Sequence, residues 1–188
     1  MRFALVTLCC ALVAGCVFPR MATFNEAEYA PYAQPGTGSI SGQAFLKTRG
    51  GEVKYGAGNE IYLNPVTTYS TEWFQETVLN NRRLKPADSR TDPFHWVTSA
   101  DGQGNFQFEN LPAGEYYVAC VVAWQVDGWT TGDWVHARVA VREGEHVERV
   151  ILRPSSGTRS GRIRRMTCPD TIQRHHAAVS FDGPIPRR

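Results

Sequence analysis

The side chains with which this chain could do chemistry are its five cysteines, its five histidines, its tryptophans and a cluster of arginines. Cys16 is the most informative. It directly follows Val13-Ala14-Gly15, at the end of an almost wholly apolar run over residues 3–14 that Arg2 precedes. A positive residue, a short apolar run and small residues before a cysteine form the pattern of a bacterial lipoprotein signal, in which the cysteine becomes the acylated first residue. The run is too short to span a bilayer, which takes about 20 apolar residues. Residues 1–15 therefore read as a removable signal peptide, and Cys9 and Cys10 leave with it.

The remaining thiols are Cys120 and Cys168. An oxidising envelope compartment permits a disulfide between them, but Cys120 alternates with apolar residues and also reads as a buried free thiol. Both readings stand. His175 and His176 are adjacent, so in an extended chain they point to opposite faces, and no cysteine or carboxylate pair stands nearby at ligand spacing; a solvated dipeptide is the simpler reading. Asp101, Asn105 and Glu109 surround Gly102 and Gly104 without the alternating oxygen ligands of a calcium loop, and read as a turn. The sequence places no pair of residues for acid-base work, no metal and no cofactor.

Binding is better supported than catalysis. Trp129 lies between Trp124 and Trp134 in a stretch of Asp, Gly and Thr, and an exposed tryptophan among polar groups suits stacking on a sugar or a protein interface. Trp73, on a predicted helix, is a second candidate. Arg159, Arg162, Arg164 and Arg165 fall within seven residues and suit anionic headgroups or acidic envelope polymers, each such charge contributing about 1 kcal/mol near an anionic surface. A lipid-anchored envelope protein does not meet nucleic acid, which removes that partner.

Composition bounds the elements that must position these residues. The 188 residues are 42% hydrophobic and 11% aromatic, with 17 glycines and 11 prolines, a balance that suits one domain of short strands and many turns. Residues 36–153 hold 11 Lys and Arg against 14 Asp and Glu, a net of −3, whereas residues 154–188 hold seven Arg against two Asp, a net of +5. The basic character belongs to the C-terminal segment.

From Gly38 the hydrophobic period is two. Ile40, Gly42, Ala44 and Leu46 alternate with Ser41, Gln43, Phe45 and Lys47; Ile61 and Leu63 mark a second strand before Pro65. Residues 69–84 instead carry Trp73, Val78, Asn81 and Leu84 at helical spacing, with Glu72 and Glu76 early and Arg82 and Arg83 late, which predicts one helix capped by Ser70 or Thr71. Residues 94–99 and 105–109 read as a hairpin around Asp101–Gly104, residues 115–126 as a central strand apolar on both faces, and residues 134–141 and 146–152 as a final hairpin about Gly144. Seven strands at this spacing predict a β-sandwich.

The stretches Gly38–Phe45, Asp101–Val121 and Val139–Leu152 are similar to the carboxypeptidase regulatory-like domain, of prealbumin-like (transthyretin-like) topology, over about residues 37–153. The resemblance implies an all-β, seven-stranded prealbumin-like sandwich, with one inserted helix near 69–84 outside the usual pattern. Some proteins of this topology are 5-hydroxyisourate hydrolases with paired histidines, an arginine and a Tyr-Arg-Gly-Ser terminus; this chain ends in Gly183-Pro184-Ile185-Pro186-Arg187-Arg188 and has no equivalent set. The expected organisation is a signal peptide (1–15), a flexible tether (16–36), the sandwich (37–153) and an Arg-rich, disordered tail (154–188).

The expected role is that of a non-enzymatic envelope lipoprotein, a structural or protein-interaction module held by lipid on Cys16. Because Val17 is not Asp, the expected destination is the outer membrane. A carbohydrate-binding module using loop tryptophans is the alternative, and a cell-envelope hydrolase the third. Cys16→Ser should shift the protein out of the membrane fraction and abolish uptake of labelled fatty acid; a variant that still sediments with membranes, together with an unlabelled wild type, excludes the anchor.

Overall fold

Alternation along the strands resolves into two facing sheets. In the computed structural model, which describes residues 17–48, 50–126 and 128–154, the elements in chain order are β1 (Val17–Phe18), α1 (Glu26–Tyr29), β2 (Gly38–Lys47), β3 (Val53–Tyr55), β4 (Glu60–Pro65), α2 (Thr68–Trp73), β5 (Arg83–Leu84), β6 (Trp96–Ser99), β7 (Asn105–Leu111), β8 (Gly114–Val126), β9 (Trp129–Val141) and β10 (His146–Leu152). A π-helical turn, Phe74–Leu79, extends α2, and 3₁₀ turns lie at Ala30–Tyr32 and Ser89–Phe94.

One sheet is built on β2, with β10 parallel along one edge and β7, then β3, antiparallel along the other. The second runs β6–β4–β8–β9, antiparallel throughout. Ile40, Ala44, Leu46, Phe106, Phe108, Leu111 and Leu152 from the first sheet meet Ile61, Leu63, Val118, Cys120, Val122, Val135 and Val139 from the second in one core. The protein is an all-β two-sheet sandwich with a short helical insertion. Gly104 serves the crossing between sheets: its φ is +80°, and a Cβ there would lie 2.4 Å from the Ala44 carbonyl oxygen.

Three expectations about connectivity need correction. The Asp101–Gly104 turn joins no hairpin, because β6 pairs with β4 and β7 with β2 in the opposite sheet. Gly144, at φ +66°, likewise turns the chain between sheets; β10 leaves β9 to pair in parallel with β2, apart from a single bridge from His136 to Arg153. A tight turn reverses the chain whether the flanking strands pair or splay, and burial of Val147, Val150 and Leu152 against the core selects the second outcome. Conversely, Thr130–Asp133, read as loop, continue β9, which pairs with β8 from Gly114↔Val141 to Val126↔Trp129.

The helix over 69–84 is also shorter than expected. Thr67 caps it, its Oγ1 accepting from the Ser70 amide at 3.1 Å while Ser70 Oγ accepts from the Thr67 amide at 3.0 Å. Helical structure ends at Leu79, Asn81 takes a left-handed φ of +50°, and Arg83–Leu84 pairs in parallel with Val17–Phe18. Arg82 and Arg83 therefore lie beyond the helix.

Residues 17–36 are no flexible tether. Asn25 caps α1 through its side chain, Tyr29 is buried and accepts from Thr67 Oγ1 at 3.0 Å, and its ring lies 4.9 Å from Phe24 and 4.8 Å from Phe94. Tyr32 donates to the Glu115 carbonyl at 3.3 Å and meets Tyr116 edge-on. The Arg82 guanidinium sits over Phe18 and that of Arg90 over Phe24. Aromatic side chains that each find a partner outweigh the entropy of a free linker. The Arg-rich segment from residue 155 lies outside the described residues.

Val118 is wholly buried between the sheets, whereas Glu115 is half-exposed in an ion pair with Arg138. Val118→Asp should lower the unfolding free energy by about 3 kcal/mol or more, and Glu115→Lys by less than about 1 kcal/mol. Urea titrations followed by tryptophan fluorescence check the contrast.

Candidate functional site

The outer face of β8 is as apolar as its inner face, and the segment between β4 and β6 covers it. Phe74 stacks on Tyr117 at 4.2 Å and 8°, and meets His136 edge-on at 5.0 Å. Trp73 approaches Trp134 edge-on at 6.3 Å, and Tyr62 lies between Trp134 and His95, stacked on the imidazole at 5.7 Å. Residues 17–32 then pack against this cover from the other side.

Between these layers lies a cavity of about 210 Å³, lined by Arg20, Asn64, Tyr69, Trp73, Asp92 and His95 among others. Arg20 donates through Nε to the Lys85 carbonyl at 3.0 Å, and its guanidinium lies 4.8 Å over the Tyr69 ring. Its Nη1 is buried without a hydrogen-bond partner, as is Oε2 of Glu72, whose other oxygen accepts from the Met21 amide. Tyr69 accepts from the Asp88 amide at 2.8 Å. His95 donates through Nδ1 to Asn64 Oδ1 at 2.8 Å, which leaves Nε2 as an acceptor. Although His95 keeps an exposed edge, desolvation by the protein around its ring lowers its pKa against the opposing pull of Asp92 and Glu60, so the imidazole is neutral at pH 7. An aromatic wall with converging hydrogen-bonding groups, one arginine and one carboxylate suits a small polyhydroxylated molecule.

Trp73 is the sequence candidate that the structure brings into this cavity. Trp129 stands elsewhere, at the tip of the β8–β9 hairpin beside Gly128, 67% exposed and opposite Val126. Its register puts it on the core-facing side of the sheet, beyond half-buried Trp124, so Trp73 and Trp129 form no common site. Cys16, Cys168, His175, His176, Arg159, Arg162, Arg164 and Arg165 lie outside the described residues. Cys120 is wholly buried and has no disulfide partner among the described residues, which do not include Cys168. Among the described residues no group of three or more His, Cys, Asp or Glu is placed to hold a metal ion, and no helix is long and apolar enough to cross a membrane.

Arg20, Asn64, Asp92 and His95 escaped the sequence reading because they come from three separate segments, Asp92 and His95 sharing the 3₁₀ turn before β6. The one available signal was Arg20, a lone cation in a segment too aromatic for a linker.

No protein-family model matches the chain, and no curated protein matches it. Among solved structures, the fold is similar to that of a "putative carbohydrate binding protein" from Pseudomonas aeruginosa, with 26% sequence identity and a TM-score of 0.62 over 70% of this chain and 98% of that one. The resemblance is to a β protein of the same general architecture.

Burial pushes the Cys120 thiol up to about 12, so at pH 8 only about one thiol in ten thousand is ionised. The Cys120 peptide should resist iodoacetamide in the native protein and label fully in unreduced urea. Failure to label in unreduced urea would instead indicate a bridge to Cys168.

Proposed function

We propose that this protein is a lipid-anchored envelope module of the carboxypeptidase regulatory-like type that binds carbohydrate and performs no catalysis. The observation that carries the reading is the cavity under the insertion, where Trp73 and Tyr69 provide ring faces and Arg20, Asn64, Asp92 and His95 provide hydrogen-bonding groups. Sugar rings present an apolar C–H face and a polar rim, and this lining offers a counterpart to both. The buried, unpartnered Nη1 of Arg20 adds a donor whose hydrogen bond a ligand hydroxyl would complete. The similarity to a protein described as carbohydrate binding supports the same ligand class.

Binding is preferred over hydrolysis because Asp92 is the one carboxylate among the described residues lining the cavity, whereas glycoside hydrolysis needs two facing the scissile bond. Anchoring rests on the signal pattern ending in Cys16, and outer-membrane residence on Val17 at the following position.

Glycan-array screening of the Cys16→Ser chain, followed by calorimetric titration with the best mono- or disaccharide, tests the proposal. Trp73→Ala should weaken binding by about tenfold or more, with only a modest fall in melting temperature, while Trp129→Ala should bind as the wild type does. Absence of any glycan ligand, or undiminished binding by Trp73→Ala, overturns the assignment; loss in Trp129→Ala moves the site to the hairpin tip.

A further inference from the structure

A second concave surface lies on the outer face of the sheet built on β2, far in topology from the insertion. It is an open groove of about 730 Å³, walled along one side by residues 98–101. Register explains its chemistry. Ser41 stands opposite Gln107 and Gln43 opposite Asn105, at the positions that alternate with buried Ile40, Phe106 and Phe108, so hydroxyl and amide groups form two cross-strand rows. Each amide nitrogen is already engaged: Gln43 donates to the Gln103 carbonyl at 2.8 Å, Asn105 to Asp101 at 2.9 Å and Gln107 to Glu109 at 2.9 Å. The carbonyl ends of the three amides remain as acceptors.

Arg149 lies at the other end of this groove. The β10–β2 register shifts between Val147 and Val150, and within this bulge Arg149 takes a φ of +59°, a left-handed conformation disfavoured for any residue with a Cβ. Gly42 accommodates the bulge, since a Cβ there would lie 2.1 Å from the Val150 carbonyl oxygen. Arg149 is exposed and enters none of the five ion pairs among the described residues. A charged side chain held in an unfavourable backbone conformation, without an ion-pair partner among the described residues, and beside a groove lined with hydroxyl and amide groups has the character of a binding residue.

We propose that this groove binds an extended acidic glycan, with a sugar carboxylate paired to Arg149 and sugar hydroxyls donating to the side-chain oxygens of Gln43, Asn105 and Gln107. The Asp101 carboxylate at the opposite end is held by the Gln103 and Asn105 amides, and its charge places the ligand's acid at the Arg149 end. A peptide fits less well. The backbone of β2, which floors the groove, is paired on both edges and offers a peptide no strand to extend. The ligand class rests on the carbohydrate reading above, but the site and its charge selectivity are independent of the Trp73 cavity.

Calorimetric titration of the Cys16→Ser chain with trigalacturonate, against neutral maltotriose, tests the proposal. Arg159, Arg162, Arg164 and Arg165 are replaced by glutamine in every sample, so that the basic tail contributes no charge of its own. Trigalacturonate should bind and maltotriose should bind at least about tenfold more weakly. Arg149→Gly should cost about tenfold or more in trigalacturonate affinity while raising the melting temperature, because glycine accepts the left-handed conformation. Equal affinity for the acidic and neutral sugars, undiminished binding by Arg149→Gly, or no binding once the tail is neutralised each overturns the assignment, whichever way the Trp73 experiment falls.

Discussion

Strand β8 is apolar on both faces, and the rest of the molecule answers that constraint. Its inward side chains, Tyr116, Val118, Cys120 and Val122, are buried against the opposite sheet. Tyr117 and Ala119 point the other way and are equally buried, which needs a second covering layer. The insertion provides it by placing Phe74 on Tyr117 and Trp73 against Trp134, and residues 17–32 pack over the insertion through Tyr29 and its ring contacts. Removing apolar area from water contributes roughly 25 cal/mol per Å², and aromatic faces of this size dominate such layers.

The same layering explains why a cavity forms there. The insertion is short, a single capped turn of helix continued by a π-helical turn, and it lies against the sheet through large rings that do not close-pack with the N-terminal segment. Polar side chains that would be solvated on an isolated segment are thereby drawn inside. The Arg20 guanidinium is satisfied at Nε and by the Tyr69 face yet keeps an unpartnered Nη1, and Glu72 and Trp134 each keep one buried unpartnered polar atom. Leaving a buried donor or acceptor unmade costs on the order of 1–3 kcal/mol, a cost that, for Arg20, the one of the three that lines the cavity, a hydroxylated ligand or solvent would relieve.

The two outer faces of the sandwich differ in kind. One is covered and aromatic, enclosing a small cavity of largely neutral groups; the other is uncovered, polar and grooved, with Arg149 at one end and Asp101 at the other. A module with a compact pocket on one side and an extended polar groove on the other is suited to holding a branched or long polymer at more than one point, and effective concentration strengthens such contacts without new chemistry at either.

Much of this was legible in the sequence. The period of two named the strands β2, β4, β7, β8 and β10, and in β2 and β4 their core-facing residues, because alternation reports burial of one face whatever the partner; in β10 the bulge between Val147 and Val150 breaks that period. The helical insertion with Trp73 was likewise a local pattern. What only the tertiary structure decided was pairing. The turns at Asp101–Gly104 and Gly144 reverse the chain without specifying that the next strand crosses to the opposite sheet, and the aromatic residues of 17–36 announce burial without naming the surface that receives them. Arg20, Asn64, Asp92 and His95 converge from segments up to 75 residues apart, and Arg149 becomes conspicuous only through its backbone conformation at a register shift. Local chemistry sets how a segment turns and which face it hides; which surface it hides against is set by packing the whole chain at once.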